Sequence, residues 1–252
     1  MVEVLKVSGL EKRFGGIVVA DNIELALVKG RVLVLIGPNG AGKTSLFNLV
    51  CGVVKPDAGS ITLGGQEINS LPIRERARMG LARTWQNLRL FQSLTVLDNL
   101  MLGPRDYSAD NLLNVVLRPG YVANRERESR DQAYAILERT GLAEIAHSPI
   151  RDITFGQQKL VGVARALVND ARCLLLDEPM AGVEGQAYAL IQRVVRDIAA
   201  SGVAICVVEH NVAFIRDLCD EGVFMFAGKV LSRGSVESLI ADPQLTELYF
   251  GT

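Results

Sequence analysis

The sequence has no strong excess of charge of either sign and no long hydrophobic segment. Lys and Arg number 27 and Asp and Glu number 28 among 252 residues, so the formal net charge is −1. A near-neutral chain has no general attraction for nucleic acid, and we expect no nucleic-acid partner. The longest uncharged apolar window, 198–208, is interrupted by Ser201 and Gly202. It falls short of the roughly 18 residues that a membrane helix needs.

Cysteine and histidine are also scarce. The four cysteines are dispersed without a CxxC pair, and there are two histidines. This pattern argues against a disulfide framework or a cysteine-rich metal site. Cys173 and Cys206 lie in apolar runs, where free cysteine is typically a small buried hydrophobic side chain. The N-terminal residues include the early acid Glu3 and no long apolar core, unlike a signal peptide. We therefore expect a cytoplasmic chain.

A glycine-rich loop ending in Lys-Thr follows the apolar run 32–36. The loop consists of Gly37, Pro38, Asn39, Gly40, Ala41, Gly42, Lys43 and Thr44. Glycines let successive backbone N–H groups point at a phosphate without a Cβ in the way. Lys43 can reach the β- and γ-phosphates, and the Thr44 hydroxyl can ligate Mg²⁺. A helix predicted to begin near Gly42 adds its positive end, so the segment has the pattern of a phosphate-binding P-loop.

The apolar periodicity predicts an α/β fold with two kinds of sheet. Short alternating runs in the first thirty residues, divided at Gly15-Gly16 and Asp21-Asn22, indicate antiparallel strands, and 59–68 is a second hairpin-like stretch. Later apolar runs, at 172–176, 203–208 and 222–226, are typical of central strands buried on both faces. Helix-like segments precede the first two of these runs, which implies βαβ crossovers and a parallel sheet.

Residues 88–165 show helical periodicity without a buried strand. We therefore predict a P-loop NTPase core of mainly parallel sheet, with an N-terminal antiparallel β subdomain and an inserted α-helical lobe. In this division 1–252 is a single domain, 1–87 and 166–252 form the nucleotide-binding core, and 88–165 forms the helical lobe.

Polar residues follow two of the predicted central strands. Asp177 and Glu178 follow one, and Glu209 and His210 follow the other, at the strand ends where open parallel sheets bind ligands. Adjacent carboxylates repel unless a cation lies nearby. We assign Asp177 to Mg²⁺, through water, and Glu178 to the water that attacks the γ-phosphate. The alternative is a pair of helix-capping acids before Pro179.

Two further segments carry candidate residues. His210 is positioned to hydrogen-bond the γ-phosphate; the alternative is an ordinary surface histidine. His147 lies in a polar turn and is predicted to be structural or exposed. Thr154 and Gly156 precede the helix-like segment 159–167 and form a second anion-friendly helix start. Spacing alone makes this last signal weak.

Taken in order, these motifs resemble the ATP-binding subunit of an ABC transporter, and the resemblance runs from end to end. The matching pieces are the P-loop, Gln86, residues 154–158, residues 174–179 and His210. Within that family the sequence is most similar to the branched-chain amino acid (or urea) importer ATPases. The features that carry this similarity are 83–86, 180–183, the extra stretch 105–125 and the ending 242–251.

The resemblance implies an ATPase that powers import through separate membrane subunits. Two ATP-binding subunits face each other, and ATP on the P-loop of one is covered by the signature segment of the other. The expected cofactors are ATP and Mg²⁺. The implied nucleotide-binding residues are Phe14, Gly37, Pro38, Asn39, Gly40, Ala41, Gly42, Lys43, Thr44, Ser45, Thr154, Phe155, Gly156 and Gln157. The implied catalytic residues are Glu178, His210 and Gln86, and the implied metal ligands are Thr44, Gln86 and Asp177.

Phe14 matches the aromatic residue that stacks on adenine, the alternative being a core phenylalanine at a strand end. The implied partners are membrane-spanning permease subunits, a second ATP-binding subunit (a copy or a sister ATPase) and, indirectly, an extracytoplasmic substrate-binding protein. The implied location is peripheral, at the cytoplasmic face of the inner or plasma membrane. Residues 87–91, with exposed Leu and Phe, are expected to wall a groove for a coupling helix of the membrane subunits.

The sequence departs from the family pattern at two positions. Phe155 replaces a glycine of the usual Leu-Ser-Gly-Gly-Gln signature, and Glu184 stands where Asp or Asn is usual. These departures leave open a regulatory subunit that binds ATP and hydrolyses it weakly. Another ABC system, such as urea import or lipopolysaccharide export, also remains open, because the transported substrate is not encoded in this chain.

Overall fold

The computed structural model describes residues 2–103 and 119–250, and their strands form two sheets. The strands are β1 Glu3–Phe14, β2 Ile17–Val28, β3 Val32–Ile36, β4 Ala58–Leu63, β5 Gln66–Glu67, β6 Leu81–Arg83, β7 Cys173–Asp177, β8 Ala204–Val208, β9 Glu221–Phe226 and β10 Lys229–Gly234. The α-helices are α1 Lys43–Cys51, α2 Ile73–Arg78, α3 Val96–Met101, α4 Pro119–Arg139, α5 Phe155–Leu167, α6 Gln186–Ala200, α7 Val212–Leu218, α8 Val236–Ala241 and α9 Pro243–Phe250. None of the described helices is long and apolar enough to cross a membrane.

The first sheet is antiparallel and has the order β2-β1-β4-β5. The predicted turn at Gly15-Gly16 is confirmed, because it joins β1 to β2. The predicted break at Asp21-Asn22 is wrong: β2 continues through it as an irregularity in the pairing with β1. Asn22 has a φ of 52° there, which asparagine tolerates better than most residues. A polar pair thus marks a bulge inside one long strand.

The second sheet has the order β10-β9-β3-β8-β7-β6, and its central strands are parallel. Every residue of β3, β7 and β8 is buried, as the uninterrupted apolar runs predicted. Two strands of this sheet were not predicted. β6 has only three residues, and β10 alternates between exposed and half-buried positions at the antiparallel edge. Neither strand carries an apolar run that the sequence could reveal.

The chain divides into two compact units, 1–86 with 172–181 and 195–252, and 87–171 with 182–194. The predicted division into a nucleotide-binding core (1–87 and 166–252) and a helical lobe (88–165) stays a prediction. The extra stretch 105–125 lies mostly outside the described residues, and its described part, 119–125, begins α4.

In the second unit, α3, α4 and α5 pack together. Asn99 on α3 is fully buried and holds the preceding loop, since its side chain accepts from Phe91 N and donates to Phe91 O. Phe91 is 56% exposed, as predicted for the segment 87–91. Leu90 is buried, so the expectation of exposed apolar side chains holds for only part of this segment.

The cysteines are free thiols, and Cys51, Cys173 and Cys206 are buried as small core side chains. Burial raises the pKa of Cys51 to about 11 and that of Cys219 to about 12, and it also raises the pKa of Cys173 and of Cys206. Apolar surroundings disfavour the thiolate, which is the reactive form of cysteine.

Arg76 on α2 is 1% exposed and caps the end of α1 from inside the first unit. Its guanidinium donates to the carbonyl oxygens of Leu49 and Val50 in the last turn of α1, at 2.9 and 2.6 Å. It also donates to Leu71 O and Asn69 O, at 3.0 Å each. Helix C-terminal carbonyls lack partners within their own helix, so Arg76 supplies the donors that the buried end of α1 needs.

We predict that Arg76→Met lowers the free energy of unfolding by about 2–4 kcal/mol, because several buried carbonyls lose their donors. The matched control is Arg74→Met on the same helix, where the side chain is exposed and the change should stay within about 0.5 kcal/mol. Denaturant unfolding of the purified chain measures both. Equal effects of the two substitutions contradict the capping role.

Candidate functional site

The glycine-rich loop 37–42 joins β3 to α1, as predicted from the sequence. A Cβ on Gly37 would lie 2.1 Å from Met225 O, and one on Gly42 would lie 2.5 Å from Val19 O. Both residues have positive φ, 153° and 103°. At Gly40, in contrast, an added Cβ meets nothing within 4 Å. The loop is therefore packed tightly against the protein on one side and open on the other, where a ligand can approach its backbone.

Lys43 begins α1 and turns its side chain back into the loop. It is 7% exposed, and its Nζ donates to Gly37 O at 2.6 Å and to Pro38 O at 3.0 Å. Burial lowers the pKa of Lys43, while the charges of Glu178 and Asp177 act in the opposite direction. Among the described residues no carboxylate pairs with this ammonium group within 4 Å. A buried cation bonded only to carbonyl oxygens is suited to receive an anion.

Glu178 stands at the centre of a cluster that includes Gln86 and His210. Gln86 Nε2 donates to Glu178 Oε2 at 3.0 Å, and His210 Nε2 lies 3.5 Å from Glu178 Oε1. Glu178 has a φ of 48°, and its N–H donates to Val208 O on β8 at 2.9 Å. The structure thus brings together the three residues proposed as catalytic. The helix-capping alternative is wrong, because the next helix along the chain begins at Gln186.

Asp177 makes a buried ion pair that sequence reasoning missed. Arg83 Nη2 donates to Asp177 Oδ2 at 2.8 Å, and the two side chains are 4% and 6% exposed. The same guanidinium donates to Asn48 Oδ1 at 2.7 Å and lies 4.3 Å from the centre of the Trp85 ring. Arg83 ends β6, whose three residues gave no strand signal, so nothing in the sequence placed it beside the end of β7.

Glu209 was also not assigned a role from the sequence. It is 3% exposed, and its carboxylate accepts from the backbone N–H of Met180 at 2.6 Å and of His210 at 2.9 Å. A buried carboxylate that accepts backbone N–H groups rigidifies the backbone around it. Glu209 therefore ties the turn after Glu178 to the segment that carries His210.

Phe14 lies at the end of β1 and is 49% exposed, so the alternative of a core phenylalanine is wrong. Lys12 Nζ lies 5.3 Å from the centre of its ring and also pairs with Asp57 at 2.6 Å. The exposed ring is thus flanked by charged side chains at the surface.

His147 is exposed, as expected, and its Nε2 lies 2.9 Å from Tyr134 Oη.

The predicted signature residues Thr154, Phe155, Gly156 and Gln157 belong to the second unit. Thr154 is the N-cap of α5 and forms a capping box with Gln157, in which each side chain accepts from the other residue's backbone N–H. Phe155 is 50% exposed and contacts Gly182, where an added Cβ would lie 3.1 Å from the ring. A cavity of about 400 Å³ beside this helix start is lined by Thr154, Gly156, Gln157 and the exposed Glu184.

The donor set suits a Mg²⁺ ion that arrives with a nucleotide. Mg²⁺ in nucleotide sites keeps several waters and takes only one or two carboxylates together with substrate phosphates. Thr44 is exposed next to Lys43, and Asp177 supplies a carboxylate whose charge Arg83 already balances in part. Within 2–103 and 119–250, no cluster of three or more His, Cys, Asp or Glu forms a ready metal cage.

The structure combines a phosphate loop that packs tightly against the protein, a buried lysine at that loop, and acidic residues at the end of a strand in a parallel sheet. Together these features define a P-loop nucleoside triphosphatase. The model of the ABC transporter family matches residues 20–181. The chain therefore belongs to the ABC transporter family and is an ATP-hydrolysing subunit of a transporter, which implies membrane permease partners.

The relatives cover nearly the full chain. The high-affinity branched-chain amino acid transport ATP-binding protein LivG of Escherichia coli K12 is 32% identical over 249 residues, 98% of each chain. The lipopolysaccharide export system ATP-binding protein LptB of Acidithiobacillus ferridurans is 33% identical over 251 residues, 100% of this chain and 98% of LptB. The ADP conformation of MJ1267, an ATP-binding cassette of an ABC transporter, matches with a TM-score of 0.85, 27% identity and full coverage of both chains.

We predict strong coupling between Arg83 and Asp177 in a double-mutant cycle. Arg83→Gln and Asp177→Asn should each lower the free energy of unfolding by about 3–5 kcal/mol, because each leaves a buried charge unpaired. The double variant should lose clearly less than the sum. The exposed pair Arg125 and Glu128, also 2.8 Å apart, is the matched control, and its coupling should stay below about 1 kcal/mol. Additive losses at Arg83 and Asp177 contradict the prediction.

Proposed function

We propose that this chain dimerises around ATP with a second ATP-binding subunit and drives import of branched-chain amino acids through separate membrane-spanning subunits. The observation that carries the hydrolytic part is the position of Glu178, held between Gln86 and His210 at the end of β7. Similarity to LivG and to BraF of Pseudomonas aeruginosa, at 32% identity each, supports the substrate class.

In this proposal the P-loop backbone, Lys43 and Ser45 bind the phosphates of ATP, and the exposed ring of Phe14 stacks on adenine. Thr44, Asp177 (through water) and Gln86 would hold Mg²⁺, which would neutralise part of the phosphate charge. The charges of Glu178 and Asp177 raise the pKa of Lys43, so these carboxylates lie within electrostatic range of the lysine of the P-loop. This proximity supports a shared site.

Glu178 is the base in the proposed reaction. Its carboxylate takes a proton from the attacking water as the water oxygen bonds to the γ-phosphorus. The bond between the γ-phosphorus and the bridging oxygen breaks, and ADP leaves with that electron pair. Gln86 orients Glu178 and the water, and His210 donates to a γ-phosphate oxygen. The positive φ of Glu178 and its backbone bond to β8 fix the carboxylate at the strand end, as a positioned base requires.

The signature residues Thr154, Phe155, Gly156 and Gln157 are proposed to act in trans, on the ATP of the facing subunit. The capping box supports this role, because it fixes the start of α5, where backbone N–H groups are available for an anion. The half-exposed Phe155 offers an apolar contact to a partner.

The proposed docking wall for the membrane subunits is the segment 87–91. The buried side chain of Asn99 holds this segment through hydrogen bonds to the backbone of Phe91, and the Phe91 side chain is 56% exposed. This role implies peripheral attachment at the cytoplasmic face of the membrane. An extracytoplasmic substrate-binding protein delivers the substrate to the permease subunits.

Three alternatives remain. Glu184 and Phe155, which depart from the family pattern beside the proposed interface, favour a regulatory subunit with weak hydrolysis. The 33% identity to LptB favours lipopolysaccharide export, and the sequence resemblance also covers urea import. Recovery of the chain with its permease subunits from membranes, followed by uptake assays with branched-chain amino acids, urea and lipopolysaccharide, separates the transport systems.

We predict that Glu178→Gln lowers the ATP hydrolysis rate by about 10²–10⁴-fold, the usual contribution of a general base. ATP binding should persist, because the P-loop is untouched, and a dimer that cannot turn over should accumulate. Glu67→Gln, on the exposed strand β5, is the control and should leave the rate unchanged. The measurements are phosphate release, nucleotide titration and size in solution. An unchanged rate for Glu178→Gln removes Glu178 from its role, and a wild-type rate far below that of a transport ATPase supports the regulatory alternative.

We further predict that two inactive variants restore activity when mixed. Lys43→Met removes the phosphate-binding cation, whereas Gln157→Glu keeps the capping box but places a negative charge at the signature. In a mixed dimer, the intact P-loop of the Gln157→Glu subunit faces the intact signature of the Lys43→Met subunit. This one complete site should restore phosphate release. The wild-type rate per subunit should also rise with protein concentration. A strictly monomeric preparation that hydrolyses ATP at full rate contradicts dimerisation around ATP.

A further inference from the structure

The imidazole of His210 is held by a residue from the C-terminal helix. Its Nδ1 lies 2.6 Å from Tyr249 Oη, and its Nε2 lies 3.5 Å from Glu178 Oε1. Tyr249 is on α9, 39 residues further along the chain, and belongs to the same compact unit as His210 and Glu178.

These two contacts favour one tautomer of the ring. A neutral imidazole has one N–H donor and one acceptor nitrogen, and an ionised carboxylate only accepts. The ring therefore turns its Nε2–H towards Glu178 and leaves Nδ1 as the acceptor. Tyr249 Oη must then donate to Nδ1.

Tyr249 is suited to remain a donor. Burial raises the pKa of its phenol, and the charges of Glu209 and Glu178 raise it further, so the hydroxyl keeps its proton. The helix that carries it is anchored, because Leu245 is buried in a cluster with Ile215 and Phe224. Asp242 caps the start of this helix by accepting from Gln244 N at 2.9 Å.

The His210 ring also borders a small cavity. His210 and Tyr249 line a cavity of about 170 Å³ whose other walls are apolar, except for Thr246. The Thr246 hydroxyl already donates to Asp242 O, at 2.9 Å, just before its own helix. Among the residues lining this cavity, Tyr249 therefore supplies the polar group that contacts the His210 ring.

We propose that Tyr249 is a positioning residue for His210, which holds the imidazole in its Nε2–H tautomer and directs that N–H at the reacting phosphate. The inference rests on the proposed function, in which His210 contacts the γ-phosphate. It makes α9 part of the hydrolytic site, although the sequence assigned no catalytic role to Tyr249.

The direct test is the ¹⁵N spectrum of the imidazole nitrogens in the full chain without nucleotide, at a pH of about 9, above the ordinary titration range of histidine. The chain has only two histidines, and each ring nitrogen reports whether it carries a proton. The expected wild-type result for His210 is an Nε2–H, Nδ1-acceptor ring. Tyr249→Phe should move both nitrogens towards the values of a mixed population of tautomers. Tyr249→Phe keeps the aromatic packing, and thermal unfolding checks that it folds.

Tyr134→Phe is the matched control, because it removes the hydroxyl beside the other histidine, His147. It should change only the His147 signals. His210 signals that stay the same in Tyr249→Phe, or that move equally in Tyr134→Phe, overturn the inference.

Kinetics provide the second readout. A hydrogen bond with a net value of about 0.5–1.5 kcal/mol corresponds to a fall in kcat of roughly 2- to 12-fold for Tyr249→Phe. KM should change little, since binding through the P-loop is unaffected. A shifted tautomer with an unchanged kcat overturns the role of Tyr249 in hydrolysis. An unchanged kcat in His210→Ala is a different result: it removes His210 from the proposed function, whereas the spectrum still tests its contact with Tyr249.

Discussion

The candidate site depends on the parallel pairing of three short strands, β6, β7 and β8. In this register Arg83 pairs with Leu175, and Asp177 pairs with Val208. Because parallel strands end at the same edge of a sheet, the residues that follow them meet there without any local sequence relation. Gln86, Glu178 and His210 follow β6, β7 and β8 in turn, and the hydrogen bonds of the two ladders thus bring them together.

The same edge concentrates negative charge, and the structure balances each acid in its own way. Arg83 pairs with Asp177, the backbone N–H groups of Met180 and His210 hold Glu209, and Gln86 donates to Glu178. Glu178 also lies 3.5 Å from His210 Nε2.

The sequence predicted the buried strands, the phosphate loop and the residues at the strand ends, because uninterrupted apolar runs and glycine spacing are local signals. It did not predict β6, which is too short for periodicity to detect, and so it missed the pairing of Arg83 with Asp177. The contact between Tyr249 and His210 joins residues far apart in the chain, and no single-sequence pattern encodes it. At Asn22 the sequence predicted a strand break, but the strand continues. At Leu90 the sequence predicted an exposed side chain, but tertiary packing buries it.

The native thiols have a practical consequence for spectroscopy. Three of the four cysteines are buried, and the pKa values of all four are raised, so little thiolate forms at neutral pH. A single cysteine introduced at an exposed position would therefore be the preferred target of a maleimide dye. Fluorescent or spin labels can then be attached to this chain without first removing its own sulfhydryl groups from the core.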